Sequence, residues 1–383
     1  MCAMIGVITT GLAATQGCDL QRVIQRFRQE YSQWCDLPIV PVDAPDFTGS
    51  QESGYGLAVA AMLKHLLPAH PWANDTTSRR INVLASASLT PGDLEELSDL
   101  LAAFGLQAAF LPDLSDALDG HLSATDFLPV TTGGTPLSFF EQLHQARATL
   151  VVGRSLFAAA AQLQNLCNMP ILHFDHLMGL DATDRLVAQL CQLVGHKGSS
   201  CVERWRQQML DAMLDSHFYL GEKRVAIAGE VDLVNGFRQL FAEMGLHTVG
   251  AVVPQVTSTT NDGFLVAGDL DDLETLAVQM QAELLVGNSQ LAECAAQLNL
   301  PLLRAGYPIF DQLGGFRRTR IGYRGGRDTL FEMANLLISS RSHKVAPYYS
   351  ELRTVNRSFG VVNDEQRMAS IERSSWSKTA GHG

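Results

Sequence analysis

The sequence predicts an α/β protein of three Rossmann-like domains built on doubly wound parallel sheets. Three observations carry that prediction. Short apolar runs rich in Val, Ile and Leu alternate with longer amphipathic segments along most of the chain. The alternation comes in three passes, with breaks near 130 and 217. The 383 residues, 46% hydrophobic and 18% charged, exceed one ordinary domain and supply ample material for buried cores. The expected domains are 1–130, 131–217 and 218–340. A polar segment, 341–383, follows and is expected to be a mobile tail.

The first pass opens almost at once. Residues 4–9 (MIGVIT) read as a strand running into Thr10 and Gly11, then a helix over 19–31. A second strand over 37–42 leads through Asp43, Pro45, Asp46 and Gly49, an irregular loop enforced by Pro and Gly, into a helix ending near 67. A parallel pair with a helical crossover is the simplest arrangement of these pieces. After a polar connection comes a buried strand over 81–85. Thr90-Pro91-Gly92-Asp93 then supplies an N-cap, a first-turn proline and an acidic third position, which predicts a helix to about 104. A strand over 106–111 and a long irregular loop through Pro129 close the pass.

The second pass begins at Thr131-Thr132-Gly133-Gly134-Thr135-Pro136, read as the start of a helix to about 145. Thr-Gly-Gly-Thr there either cradles an anion or is only a tight helix entry, and it lacks the lysine and spacing of a P-loop. Strands over 149–152 and 171–172 alternate with helices over 155–165 and beyond 180. His173, Asp175 and His176 have metal-ligand chemistry, but two imidazoles three residues apart in a loop fit a hydrogen-bonded loop end better. In the third pass a helix over 202–217 precedes strands over 224–228, 248–253, 283–286 and 302–303. Helices over 232–244, 269–280 and 289–298 separate them. Gly229 has no second or third glycine nearby, so NAD or FAD is not expected.

Composition narrows the function further. A formal net charge of −12 and a pI near 5.3 argue against nucleic acid as a partner. No apolar run is long enough for a bilayer and the first residues do not read as a signal peptide, so no membrane and a cytoplasmic location are expected. The seven cysteines, at 2, 18, 35, 167, 191, 201 and 294, form no Cys-x-x-Cys pair, and most are expected to be buried.

The segment 306–337 carries the most information. It joins a Gly-Tyr-Pro turn, a loop bearing Arg317, Arg318, Arg320, Arg324 and Arg327, and a helix with Leu330, Phe331, Ala334 and Leu337 near helical spacing. The arginines read either as a subunit-facing or cluster-proximal electrostatic surface, or as caps on neighbouring helix ends. Gly306-Tyr307-Pro308-Ile309-Phe310-Asp311 followed by Gly322-Tyr323 resembles the signature of the nitrogenase molybdenum-iron protein family and its cofactor-assembly relatives. The resemblance extends over about nine tenths of the chain, including 5–11, 45–49, 89–93, 111–114, 132–135 and 210–215.

That resemblance implies the nitrogenase component 1 type of fold. It further implies the beta-like subunit of a scaffold on which the iron-molybdenum cofactor is assembled, without independent catalysis and with no catalytic residues. The implied partner is a NifE-like subunit in an α2β2 heterotetramer. Transient contacts with cofactor-maturation proteins and apo-nitrogenase are also implied. An iron-sulfur cluster of the 4Fe-4S type would be shared with that partner, which would hold most of the iron-molybdenum cofactor precursor. Gly11 and Asp46 fall at cluster-facing positions, not as ligands. In the family's catalytic beta subunit the Thr-Thr pair is followed by a cysteine ligand of the P-cluster, and a serine corresponds to Asp46. The family pattern also has a further N-terminal segment bearing a cysteine ligand. The expectation is therefore a shortened chain with an incomplete first domain and no metal ligand of its own. A nitrogenase beta subunit or a related two-component reductase subunit is the alternative, and a generic Rossmann-type binding protein is a third.

Overall fold

The computed structural model describes residues 3–67, 75–122, 131–167, 169–257 and 263–340. The expected tail, 341–383, lies outside the described residues, as do Cys2 and Pro129. The chain starts with β1 (Ile5–Ile8), a short helix α1 (Gly11–Thr15) and α2 (Leu20–Glu30), whose N-cap Asp19 accepts from the Arg22 N–H at 3.1 Å. β2 (Ile39–Val42) pairs in parallel with β1, Ile5 opposite Ile39, and α3 (Gln51–Leu66) follows. This pair forms a small two-stranded sheet of its own. The short α1 is an element that the sequence did not announce, because one turn of helix has too few residues to show a period.

A four-stranded sheet comes next. β3 (Arg80–Ala85) leads to α4 (Pro91–Ala102) and β4 (Gln107–Leu111). After α5 (Ser138–Gln142), β5 (Ala148–Val152), α6 (Phe157–Cys167) and β6 (Ile171–Phe174) complete it. All its pairs are parallel, in the order β4-β3-β5-β6. The sheet therefore runs across position 130, where a domain boundary was expected. Strand pairing between Ile81 and Ala148 overrides the loop that suggested the break. The Thr90 cap behaves as read: its Oγ1 accepts from the Asp93 N–H and the Thr90 N–H donates to Asp93 Oδ2, both at 3.0 Å.

Helices α7 (Leu180–Val194) and α8 (Ser200–Leu220) lead to the third sheet. Its elements are β7 (Arg224–Ala228), α9 (Val231–Glu243), β8 (His247–Val253), β9 (Val266–Ala267), α10 (Leu270–Gln279), β10 (Leu284–Gly287), α11 (Ala292–Gln297), β11 (Leu302–Arg304) and α12 (Gly322–Ser340). The parallel order is β11-β10-β7-β8-β9. One apolar core, from Val83 and Leu150 through Leu186 and Met209 to Ile227, Phe237 and Leu330, joins the four- and five-stranded sheets. Two smaller cores pack α3, α5 and α6 on one sheet and α10 and α11 on the other. Among the described residues no helix is long and apolar enough to cross a membrane.

This arrangement brings strand ends together. In the four-stranded sheet, β3 and β5 are neighbours whose outgoing chains turn to opposite sides, which opens a crevice at their carboxyl ends. The first turns of α3 and α9 meet in that crevice.

Candidate functional site

The site begins at the end of β1. Buried Thr9 donates its N–H to the Val42 carbonyl at 2.9 Å, and Thr10 Oγ1 caps α1 by accepting from Ala13 N–H at 3.2 Å. Gly11 is thus the first helical residue, facing the loop after β2. A methyl group built on it would overlap Asp46 Oδ1 and come within 3.2 Å of Asp46 Cγ and 3.3 Å of the Phe47 ring. The structure therefore places the two site residues read from the sequence against each other. Around them Ile8, Leu12 and Phe47 are exposed at 64%, 70% and 63%, a concentration of apolar surface at one sheet edge.

Asp46 also lies on a cleft of about 870 Å³. The loop after β2, the first turns of α3 and the segments following β5, β7 and β8 line it. Ser50 fixes the start of α3: Ser53 N–H donates to its Oγ at 3.3 Å and its own N–H donates to Ser53 Oγ at 2.8 Å. That cap aims Glu52 inward rather than to solvent.

Glu52 and Asp232 are the functional-looking groups that sequence reading missed. Asp232 N–H donates to Glu52 Oε2 at 2.9 Å. The Asp232 carboxylate accepts from Ser86 Oγ at 3.1 Å, Ser155 Oγ at 2.6 Å and the Arg154 N–H at 2.9 Å. A side chain on Gly153 would strike Ser86 Cβ and Asp232 Oδ2, each at 2.6 Å, and its φ of 113° suits only glycine. The network thus ties the ends of β3 and β5 to the helices entering after β2 and β7. Burial, followed by the nearby Asp232 charge, raises the Glu52 carboxyl well above its ordinary range; burial also raises Asp232, against its hydrogen bonds. Each acid occupies the first turn of a helix, where carboxylates are routine, so neither stands out in one dimension.

The arginine segment is corrected by the structure. Arg317 Nη1 lies 2.6 Å from Glu95, Arg320 Nη1 2.6 Å from Glu332, and Arg324 Nη2 2.7 Å from Asp99, with its guanidinium 4.5 Å over the Trp205 ring. Arg318 faces Glu332 at 3.7 Å and Arg327 pairs with Asp328 at 2.7 Å. These cations clamp α4, α8 and α12 within the chain, as the capping reading of the segment has it. Asp93 strengthens the same clamp by accepting from Arg320 N–H at 2.6 Å.

Other readings resolve individually. The 131–136 segment precedes α5 as a loop: Gly133 and Gly134 have φ of 83° and 89°, and the Gly134 N–H donates to Asp116 Oδ1 at 3.1 Å, so a side chain already takes the anion's place. The His173 ring meets Phe157 edge-on at 4.6 Å, and burial holds His176 below its ordinary range. Among the described residues no group of three or more His, Cys, Asp or Glu is placed to hold a metal. Of the cysteines expected inside, Cys294 is buried, whereas Cys18 and Cys35 are exposed because each sits at the end of a short surface helix.

Comparison with known proteins places these features in context. The model of the nitrogenase component 1 type oxidoreductases matches residues 1–338. A Klebsiella pneumoniae protein, nitrogenase iron-molybdenum cofactor biosynthesis protein NifN, is 41% identical over 352 residues, covering 91% of this chain and 76% of that protein. The NifN of Bradyrhizobium diazoefficiens is 36% identical over 355 residues, covering 92% and 75%. Among solved structures, nitrogenase Cp1 at pH 6.5 superposes with a TM-score of 0.82 at 23% identity, covering 91% of this chain and 79% of that one, a likeness of fold.

Proposed function

The chain belongs to the nitrogenase component 1 type oxidoreductase family, and from that premise we propose that it is the beta-like subunit of a NifEN-type scaffold. On that scaffold the iron-molybdenum cofactor of nitrogenase is assembled before transfer to apo-nitrogenase. The observation that carries the reading is the similarity to NifN proteins over about nine tenths of the chain. The Gly11–Asp46 contact supports it: a carboxylate fills the space where the catalytic beta subunit's pattern has a thiolate. Soft sulfur donors hold iron-sulfur clusters, and this corner offers one hard oxygen donor and no thiolate. No cluster ligand is assigned to this corner. In this reading the cytoplasmic protein pairs with a NifE-like subunit as an α2β2 heterotetramer, shares a 4Fe-4S cluster with it and leaves most contacts with the cofactor precursor to it. Exposed Ile8, Leu12 and Phe47 supply apolar surface for that pairing. Gly11 and Asp46 are proposed to face the cluster across it.

Co-expression with a NifE-like partner tests the proposal. A heterotetramer that contains iron, lacks P-cluster spectra and activates apo-nitrogenase after maturation is the expected result. Failure to bind the partner, or P-cluster spectra with substrate reduction, would sink it, the latter in favour of a reductase subunit.

A further inference from the structure

The chain leaving β3, β7, β10 and β11 closes on a small chamber beside the Glu52–Asp232 network; its volume is about 30 Å³, room for one or two bodies the size of a water molecule. Two buried polar atoms of residues that line it, Glu230 Oε2 and the Tyr307 hydroxyl oxygen, have no hydrogen-bond partner in the protein. Buried polar atoms are nearly always paired, so each calls for a partner from outside the chain.

Both atoms are spare for local reasons. Glu230 is the N-cap residue of α9, yet its side chain makes no capping bond; Glu52 from α3 takes that place by accepting from the Asp232 N–H at 2.9 Å. Tyr307 is held through its backbone, whose carbonyl accepts from Asn288 Nδ2 at 2.9 Å, while Asn288 Oδ1 accepts from the Gln290 N–H at 3.1 Å. Burial and the Asp93 charge push the Tyr307 hydroxyl up to about 12, so it keeps its proton at neutral pH and offers oxygen lone pairs. Ser88 lines the chamber too; its Oγ donates to Ser86 Oγ at 3.0 Å, because the Ser86 proton goes to Asp232. The Ser88 lone pairs are thereby left over.

Charge decides what fits. Among the described residues no Lys or Arg lines the chamber. Acids gather instead: burial, then the Asp232 charge and then the Glu230 charge raise the Glu52 carboxyl, so the Glu230 charge is felt across the network. A water molecule would bridge Glu230 and Tyr307 but leave that charge uncompensated. Calcium takes six to eight oxygen ligands and magnesium a near-ideal octahedron, more than one Glu230 carboxylate and two hydroxyls supply. A single positive charge of water size meets both limits.

We propose that this chamber holds one monovalent cation of potassium or ammonium size, bound by Glu230 Oε2, the Tyr307 hydroxyl and Ser88 Oγ. The ion ties the turn between β7 and α9 to the segments that follow β3 and β11.

Melting curves of the full chain in potassium, ammonium, sodium and tetramethylammonium chloride at equal ionic strength test this. Tetramethylammonium is too large for the chamber and sets the baseline. Potassium or ammonium should raise the melting temperature by about 3 °C at ~100 mM, with half of the saturation reached near roughly 10 mM. Glu230→Gln should lose most of that rise, and Tyr307→Phe should weaken binding about fivefold or more. Glu203→Gln, exposed on α8, should keep the whole rise. A rise with potassium alone identifies an alkali-metal site, and one with ammonium alone an ammonium site. Equal melting in all four salts overturns the proposal, as does a rise that Glu230→Gln leaves unchanged. Should either chamber variant fail to fold, crystals of the parent chain soaked in thallium(I) acetate decide: an anomalous peak against Glu230 supports the site, and water alone there sinks it.

Discussion

Replacing Arg320 by Met tests whether the arginine segment acts as an internal clamp. The Arg320 side chain is 6% exposed, with Nη1 2.6 Å from Glu332 Oε2 and 3.4 Å from Thr329 Oγ1, and Nη2 2.9 Å from the Arg304 carbonyl. Methionine keeps most of the apolar stem but leaves Glu332, whose side chain is 19% exposed, with only Arg318 at 3.7 Å. Removing one member of a buried pair costs about 3–5 kcal/mol, mostly because the remaining charge is stranded. The urea midpoint, followed by tryptophan fluorescence and circular dichroism, should therefore fall by about 1 M or more. Arg320→Met combined with Glu332→Leu should recover at least half of the loss, because no stranded charge remains. A loss below about 1 kcal/mol in the single variant would refute the clamp, as would a double variant no more stable than the single one.

The other predictions concern the strand-end site. Burial and the Asp232 charge push the Glu52 carboxyl up from 4.5 to about 8, so between those values the folded form keeps a proton that the unfolded chain has released. Stability should then fall as pH rises through that window, and melting curves at successive pH values should show Glu52→Gln falling less; parallel curves would remove Glu52 as the cause. Gly11→Ala should alter stability by no more than about 1 kcal/mol, since its methyl meets the end of the exposed Asp46 side chain, which can rotate, and alanine favours the helix. Gly92→Ala should cost about 2 kcal/mol or more, because its methyl lands 2.8 Å from the Arg317 carbonyl oxygen and 3.0 Å from its carbon, backbone that cannot swing aside. Denaturant midpoints of the two alanine variants would show the contrast, and equal losses would count against it.

Much of the fold was legible because each signal is local. Thr90 and Asp93 cap α4 as their spacing demands, and the β-branched run at Ile5–Ile8 pairs in parallel with Ile39–Val42. The break expected near 130 failed for a different reason. A long loop is visible in sequence, whereas the pairing of β3 with β5 across it is not. Of the candidate site, Gly11 and Asp46 were found through family resemblance, and their mutual contact is a fact of the fold. Glu52, Asp232, Ser86 and Ser155 gave no warning. Their hydrogen bonds span sequence separations of 77 to 180, and no pattern of residue types at such distances is diagnostic.

The sequence by itself determined the alternation of strand and helix, the family and the positions of the special residues, because periodicity, caps and motifs act over a few neighbours. Tertiary structure alone decided which charges are neutralised. Five arginines in one loop look like a surface seeking an anion; folded, Arg317, Arg318, Arg320, Arg324 and Arg327 close on Glu95, Glu332, Asp99 and Asp328. Coulomb energy depends on distance through space and on burial, and neither is set until the layers pack.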